Sequence, residues 1–260
     1  MGTFGKNFDF LGRADVRLPV LETLANQWEG ITNAKANPVF TAVGAPGSGK
    51  TRLSLELMSF VSKFVLTDPT WEKLPADHFP KITNVADFKN AFRSSLSIYT
   101  TFGNSTMVQP SEYTRDGQTC VKAVAARILF SHFNPSYFDG KYVCALLFSD
   151  FLDILDECFS QSKLNIETAI RLCVEDEIFS ADGRPPPQAV VVFLGLEEFQ
   201  EWLKDDSNLK NSFRELVKEF VALQCSKFTV QNTRVLFTPL LSGTDVVSIS
   251  DILQKSVIRR

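Results

Sequence analysis

Pro38-Val39-Phe40-Thr41-Ala42-Val43-Gly44-Ala45-Pro46-Gly47-Ser48-Gly49-Lys50-Thr51, continuing as Arg52 to Val65 (RLSLELMSFVSKFV), is the stretch from which the rest of the chain is read. Pro38 to Val43 is a short, mostly apolar and β-branched run, the pattern of a buried strand. It passes directly into a glycine-rich turn. Beyond the turn Leu53, Leu57, Phe60, Val61 and Phe64 recur at i, i+4, i+7, i+8 and i+11, which marks one buried face of a helix over 51–65. The order is strand, loop, helix.

The turn itself fits G-x-x-x-x-G-K-[ST] from Gly44 to Thr51. Each residue type has a chemical reason. Gly44, Gly47 and Gly49 permit backbone conformations that aim successive N–H groups inward as an anion-binding nest around Ala45, Pro46 and Ser48, and the helix opening at Lys50 adds the positive end of its dipole. Lys50 has the reach and charge to touch β- and γ-phosphates. The Thr51 hydroxyl is the right donor for a magnesium ion. The pattern alone recurs by chance in glycine-rich turns; an apolar strand before it and an amphipathic helix after it supply the context that phosphate binding requires.

Working outward, Leu18 to Trp28 reads as a helix, and residues 66–94, with Pro69, Pro75 and Pro80, as an insertion or helix-poor connector. Ser97 to Phe102 (SIYTTF) is a second strand. Helical patterns follow at 121–133, 143–159 (where 143–148 could instead be a strand), 166–179 and 209–223. Val190 to Leu196 (VVVFLGL) is the most strand-like segment, and Arg234 to Leu241 is a fourth strand closed by Ser242-Gly243-Thr244. Strands alternating with helices predict an α/β fold with a mostly parallel sheet covered by helices on both faces.

A phosphate loop needs an acidic residue at the end of another parallel strand, and Glu197-Glu198 ends VVVFLGL. Glu197 takes the magnesium side, where an aspartate is usual, and Glu198 polarises the attacking water. The extra methylene of a glutamate moves the carboxylate by about a bond length, which puts magnesium affinity and turnover in question. Two acidic residues on a surface helix are the alternative, since Glu201, Asp205 and Asp206 follow. Thr238 and Ser242, on the strand expected beside the phosphate loop, could sense the γ-phosphate, although a Ser-Gly-Thr turn needs no function. Arg127, Arg184, Arg214 and Arg234 are candidates for an arginine acting in trans, and nothing ranks them.

Composition narrows the chemistry. The chain has 260 residues, of which 44% are hydrophobic and 22% charged, so it is neither a disordered polymer nor a membrane protein. Its net charge of −3 gives no global field for a polyanion, so nucleic acid is not indicated. With 2 histidines, His78 and His132, metal clusters and Ser/His/Asp chemistry have little to work with, whereas 23 phenylalanines supply a core. The 5 cysteines form no CxxC pair and read as reduced and structural. The N-terminus lacks the basic start and long apolar stretch of a signal peptide, and Lys6 replaces the hydroxyl residue that would follow a myristoylated Gly2. The expectation is a soluble, intracellular protein.

Together, Phe10-Leu11-Gly12-Arg13 before the first helix, GAPGSGKT, a strand ending in Glu-Glu-Phe-Gln and a later strand ending in Ser-Gly-Thr resemble the ATPase core of the AAA and STAND group of P-loop proteins. The resemblance implies a three-layer P-loop NTPase fold in a single domain over 1–260, with Gly12 and Arg13 bordering an adenine, Glu197-Glu198 as the Walker B pair and the later strand as sensor. More narrowly, the order of SIYTTFGN, Ala126-Arg127-Ile128-Leu129, Glu-Glu-Phe-Gln and Leu-Ser-Gly-Thr is similar to the P-loop domains of Crinkler effectors and retrotransposon hot spot proteins. About sixteen residues follow Gly243-Thr244, so the helical lid of such ATPases is expected to be absent or truncated. The resemblance implies Mg2+ and ATP, with turnover dependent on self-assembly or a partner. A switch that binds nucleotide and barely hydrolyses it is the alternative; a small-molecule kinase is less favoured, because no arginine-rich lid is evident.

Overall fold

The computed structural model of the chain describes residues 14–45, 47–73, 79, 82, 84–103, 106, 120–134, 147–159, 164–179, 185–201 and 207–244. In chain order the elements are α1 (Ala14–Trp28), β1 (Phe40–Val43), α2 (Lys50–Thr67), α3 (Val85–Ala91), β2 (Leu96–Thr101), α4 (Cys120–Phe133), α5 (Phe148–Cys158), α6 (Ile166–Phe179), β3 (Ala189–Glu197), α7 (Ser207–Cys225), β4 (Thr229–Val230) and β5 (Thr233–Gly243). The strands form one five-stranded sheet in the order β1-β5-β3-β2, with β4 against β5. All pairings are parallel except β4 with β5, so the α/β expectation of a mostly parallel sheet holds.

β3 is central and buried along its whole length, and its side chains alternate between two cores. Val190, Val192, Leu194 and Leu196 face a cluster built with α4, α6 and α7, including Phe213, Phe220 and Phe237. Ala189, Val191 and Phe193 face the opposite side, where α1, α2 and α3 contribute Leu21, Leu57, Val61 and Phe88. Continuous Val and Leu runs are what a parallel strand covered on both faces demands.

The described part of 66–94 is not helix-poor. A 3-10 turn spans Pro69–Glu72, and α3 follows, capped by the Asn84 side chain, which accepts from the Asp87 N–H at 3.1 Å. Proline there opens a helical turn, since its missing N–H lies at a position with no helical acceptor. The segment is also core: Trp71 stacks on Phe88 with ring centroids 6.1 Å apart, and Phe88 meets Phe92 edge-on at 5.3 Å. The short β4 has no counterpart in the sequence expectation. It arises because Gln231 (φ 47°) and Asn232 (φ 69°) close a two-residue hairpin into β5.

Other differences are local. α1 begins earlier than the predicted helix, with Pro19 inside it, and α5 begins at Phe148. Residues 143–146, His78, Cys144, Gly12, Arg13, Pro46, Arg184 and the terminal 245–260 lie outside the described residues. Cys120 and Cys173 are buried as expected of structural thiols, but Cys158 is exposed at the end of α5. Among the described residues, no helix is long and apolar enough to cross a membrane.

Candidate phosphate and metal site

The loop after β1 springs from the C-terminal edge of the sheet, where the Gly44 N–H donates to the Gly243 carbonyl at 3.3 Å. Gly47 (φ 79°) and Gly49 (φ 81°) stand in the left-handed region, which favours glycine, and a Cβ added at either would meet nothing within 4 Å. The Ser48 N–H closes a tight turn on the Ala45 carbonyl at 3.2 Å. Ala45, Gly47, Ser48 and Gly49 are all exposed. Gly49 is also the residue before α2 and has no side chain to cap it. The first N–H groups of α2 therefore take no bond from a capping side chain, and they carry the positive end of the helix dipole.

Lys50 folds over the loop. Its Nζ donates to the carbonyls of Gly44 at 2.7 Å and Ala45 at 2.8 Å and reaches Ser48 Oγ at 3.4 Å. Thr51 is exposed in the first turn of α2, one helical turn ahead of the buried Ser54 and on the same face. Ser54 anchors that turn to the sheet: its Oγ donates to Ser242 Oγ at 3.3 Å. It also packs on Gly195 of β3, where a Cβ would lie 3.1 Å from the Ser54 carbonyl oxygen. The start of α2 is thereby fixed over the ends of β3 and β5.

Glu197 is the last residue of β3, paired in register with Ser242 of β5 on one side and Thr101 of β2 on the other. By strand alternation it shares the α2 face with Gly195. Its carboxylate is buried, with 6% of the residue exposed. Oε2 accepts a hydrogen bond from the Tyr99 hydroxyl, while Oε1 has no partner among the described residues. Burial, and then the bond to Glu197, push the Tyr99 phenol far above its usual range, so it remains a donor at every physiological pH.

Glu198 takes a different direction. Its backbone turns left-handed (φ 53°) as its N–H donates to the Ser242 carbonyl at 3.0 Å. Its carboxylate lies over the end of β2: Thr101 Oγ1 donates to Oε2 at 3.4 Å, and a Cβ at Gly103 would come within 1.4 Å of that oxygen. Glu198 therefore faces the strand on the far side of β3 from β5 and β1. The pair ends a strand rather than riding on a surface helix.

Thr238 is not brought to the loop. It sits beside Phe193, four residues before Ser242, which at ~3.3 Å per residue is about 13 Å back along β5. It is fully buried, with an unpartnered hydroxyl among the described residues. Ser242 does lie at the edge, engaged with Ser54. Two of the candidate arginines are committed to structure. Arg127 is fully buried, bonded to the Thr106 carbonyl at 2.8 Å and to Ala123, with its guanidinium over Phe102 and Phe148. Arg234 ties β5 to the end of α1 through the carbonyls of Gln27 and Trp28. Arg214 bonds Asn211 at 2.6 Å.

The sequence reading missed Tyr99, Ser54 and Gln200, whose buried Oε1 packs against Gly243 at the root of the loop. Tyr99 had a findable signal. Leu96 and Ile98 alternate with it along β2, so a polar ring at 99 belongs to the opposite face from those two, the face Glu197 uses.

Among the described residues no three His, Cys, Asp or Glu side chains gather to hold a metal. The donor set still fits magnesium. A buried carboxylate oxygen without a partner among the described residues and a hydroxyl in the first turn of α2 are oxygen donors of the kind this ion accepts alongside phosphate oxygens and water. The uncapped helix start, the two left-handed glycines and Lys50 fit a polyphosphate. Compared with protein families, with curated proteins and with solved structures, the chain finds no match.

Proposed function

We propose that the chain is a Mg-dependent ATPase core of the P-loop type, a three-layer NTPase of the AAA and STAND kind. The observation that carries the reading is convergence. The phosphate-loop candidate after β1, Glu197 at the end of β3 and Ser242 between them in β5 come from distant parts of the chain to one edge of one parallel sheet, under the first turn of α2. Ligand sites in open α/β sheets form at that carboxyl edge.

The loop N–H groups and the α2 N-terminus hold the phosphates of ATP. Lys50 exchanges the neutral carbonyls of Gly44 and Ala45 for phosphate oxygens, a stronger, charge-assisted contact. Thr51 and Glu197 hold Mg2+, which supplies neutralisation of the charge shared between β- and γ-phosphates. Glu198 orients and polarises the attacking water once its carboxylate leaves Thr101. Positioning and charge neutralisation make up most of this catalysis, and an arginine delivered in trans contributes ~10³ to 10⁵ in rate. Arg127 and Arg234 are held inside the fold and do not serve that role, which leaves Arg214 among the described candidates; turnover is expected to depend on self-assembly or a partner that brings an arginine to the site.

A second reading, a nucleotide switch that hydrolyses little, is favoured by one observation. The Glu198 carboxylate is seated at Thr101 and Gly103, turned away from the phosphate-loop strand. Nucleotide affinity and phosphate release, measured over a protein concentration series with light scattering, test both. Lys50→Ala is expected to lose ATP affinity at least tenfold, and Glu198→Gln to bind ATP while releasing no phosphate. Retained affinity in Lys50→Ala sinks the phosphate-site reading. Gly103→Ala, which expels the Glu198 carboxylate from its seat, raises turnover if that seat is a resting position; unchanged turnover, together with tight binding at every concentration, leaves the switch.

A further inference from the structure

We propose that Tyr99 is the positioning residue that aims the Glu197 carboxylate at the metal, a proposal that rests on the Mg-nucleotide reading above. Glutamate has one more rotatable bond than the aspartate usual at such a strand end, so its carboxylate can occupy more positions. Something must remove that freedom if Glu197 is to hold an ion. The Tyr99 hydroxyl does so. It comes from β2, where Tyr99 is in register with Gly195, two residues before Glu197, and it donates to Oε2. Oε1 is left as a buried oxygen without a partner among the described residues, on the face over which the first turn of α2 is anchored through Ser54.

The division of labour between the two oxygens follows from chemistry. A phenol donates one proton, so it fixes one oxygen and leaves the other for a cation. A purely structural tyrosine would serve as well with its hydroxyl bonded to a backbone carbonyl. Here a bonded partner is the carboxylate itself, and groups that orient a metal ligand in this way contribute 10- to 100-fold to metal affinity.

The test is equilibrium Mn2+ binding, followed by electron paramagnetic resonance, with a non-hydrolysable ATP analogue at saturation and EDTA-treated protein as reference. Tyr99→Phe keeps the ring and is expected to weaken Mn2+ binding at least tenfold, with analogue affinity in EDTA unchanged. Glu197→Asp shortens the ligand beyond the reach of the hydroxyl, so adding Tyr99→Phe to Glu197→Asp is expected to cost less than twofold. A tyrosine that serves only packing would cost the same in both backgrounds. Equal losses in the two backgrounds, or Mn2+ binding by Tyr99→Phe within twofold of the wild type, overturns the assignment and leaves the Mg-nucleotide reading standing. No nucleotide-dependent Mn2+ binding by the wild type overturns both.

Discussion

The two faces of β3 divide its nine residues and end differently. On the α4–α7 face Val190, Val192, Leu194 and Leu196 continue apolar to the end of the strand. On the α2 face the run Ala189, Val191, Phe193 changes at Gly195 into a contact with Ser54 and ends in the buried carboxylate of Glu197. One face is built to exclude water along its whole length. The other is buried just as far but closes on a carboxylate instead of an apolar side chain, where the start of α2 and the phosphate-loop candidate arrive. The period of two along a strand therefore separates an all-apolar face from the face that ends in the candidate site within a single segment.

The largest expected effect breaks the first face. Phe220 of α7 is fully buried with its ring 5.8 Å from that of Phe237 in β5. Phe220→Ala is expected to cost about 3 to 5 kcal/mol, read as a shifted urea midpoint, with nucleotide affinity of the folded protein unchanged. Affinity falling in step with stability would show that the faces are coupled.

A smaller effect is expected on the second face, and it should move both readouts. A Cβ at Gly195 would lie 3.1 Å from the Ser54 carbonyl oxygen and 3.2 Å from its Cβ, so Gly195→Ala must push the start of α2 outward. Overpacking of this kind costs about 1 to 3 kcal/mol. Because Thr51 lies one turn ahead of Ser54, nucleotide affinity should fall as well. Isothermal titration of the variant that finds affinity intact would break the link between the Ser54 anchor and the site.

The smallest effect is a pH dependence confined to the α4–α7 side. Glu219 of α7 accepts the Ile166 N–H at 3.0 Å, yet burial outweighs that bond and raises its pKa above 4.5. The folded state therefore holds this proton more tightly than the unfolded one. Its contribution is fully present below the unfolded value of 4.5 and is lost as pH rises through the higher folded value. Glu219→Gln keeps the acceptor and should flatten this part of the stability profile in urea titrations, leaving nucleotide affinity untouched. A profile with the same slope in the variant would assign the dependence to another group.

Most elements were legible in the sequence because each is set by local pattern. The runs at 38–43 and 190–196 and the helical stripe from Leu53 to Phe64 each carry their own periodicity and punctuation. The helical turns within 66–94 are not legible from its prolines, because burial of Trp71, Phe88 and Phe92 in a core that only the opposing helices create is what folds them. The hairpin at Gln231-Asn232 escaped because neither residue is the glycine that usually marks such a turn.

What the sequence by itself determined is the phosphate-loop candidate, since its glycines, lysine and threonine fall within eight residues and the roles expected of them follow from local backbone and side-chain chemistry. It also placed two carboxylates at a strand's end. Only the tertiary structure decided how they differ. The parallel register of β2 with β3 brings the hydroxyl of Tyr99 to Glu197 and Thr101 to Glu198, and the register of β3 with β5 leaves Thr238 deep in the sheet. Register is a property of paired strands 96 residues apart for Thr101 and Glu197 and 45 apart for Glu197 and Ser242, so it is fixed by burial of both faces of the sheet and is written in no single segment.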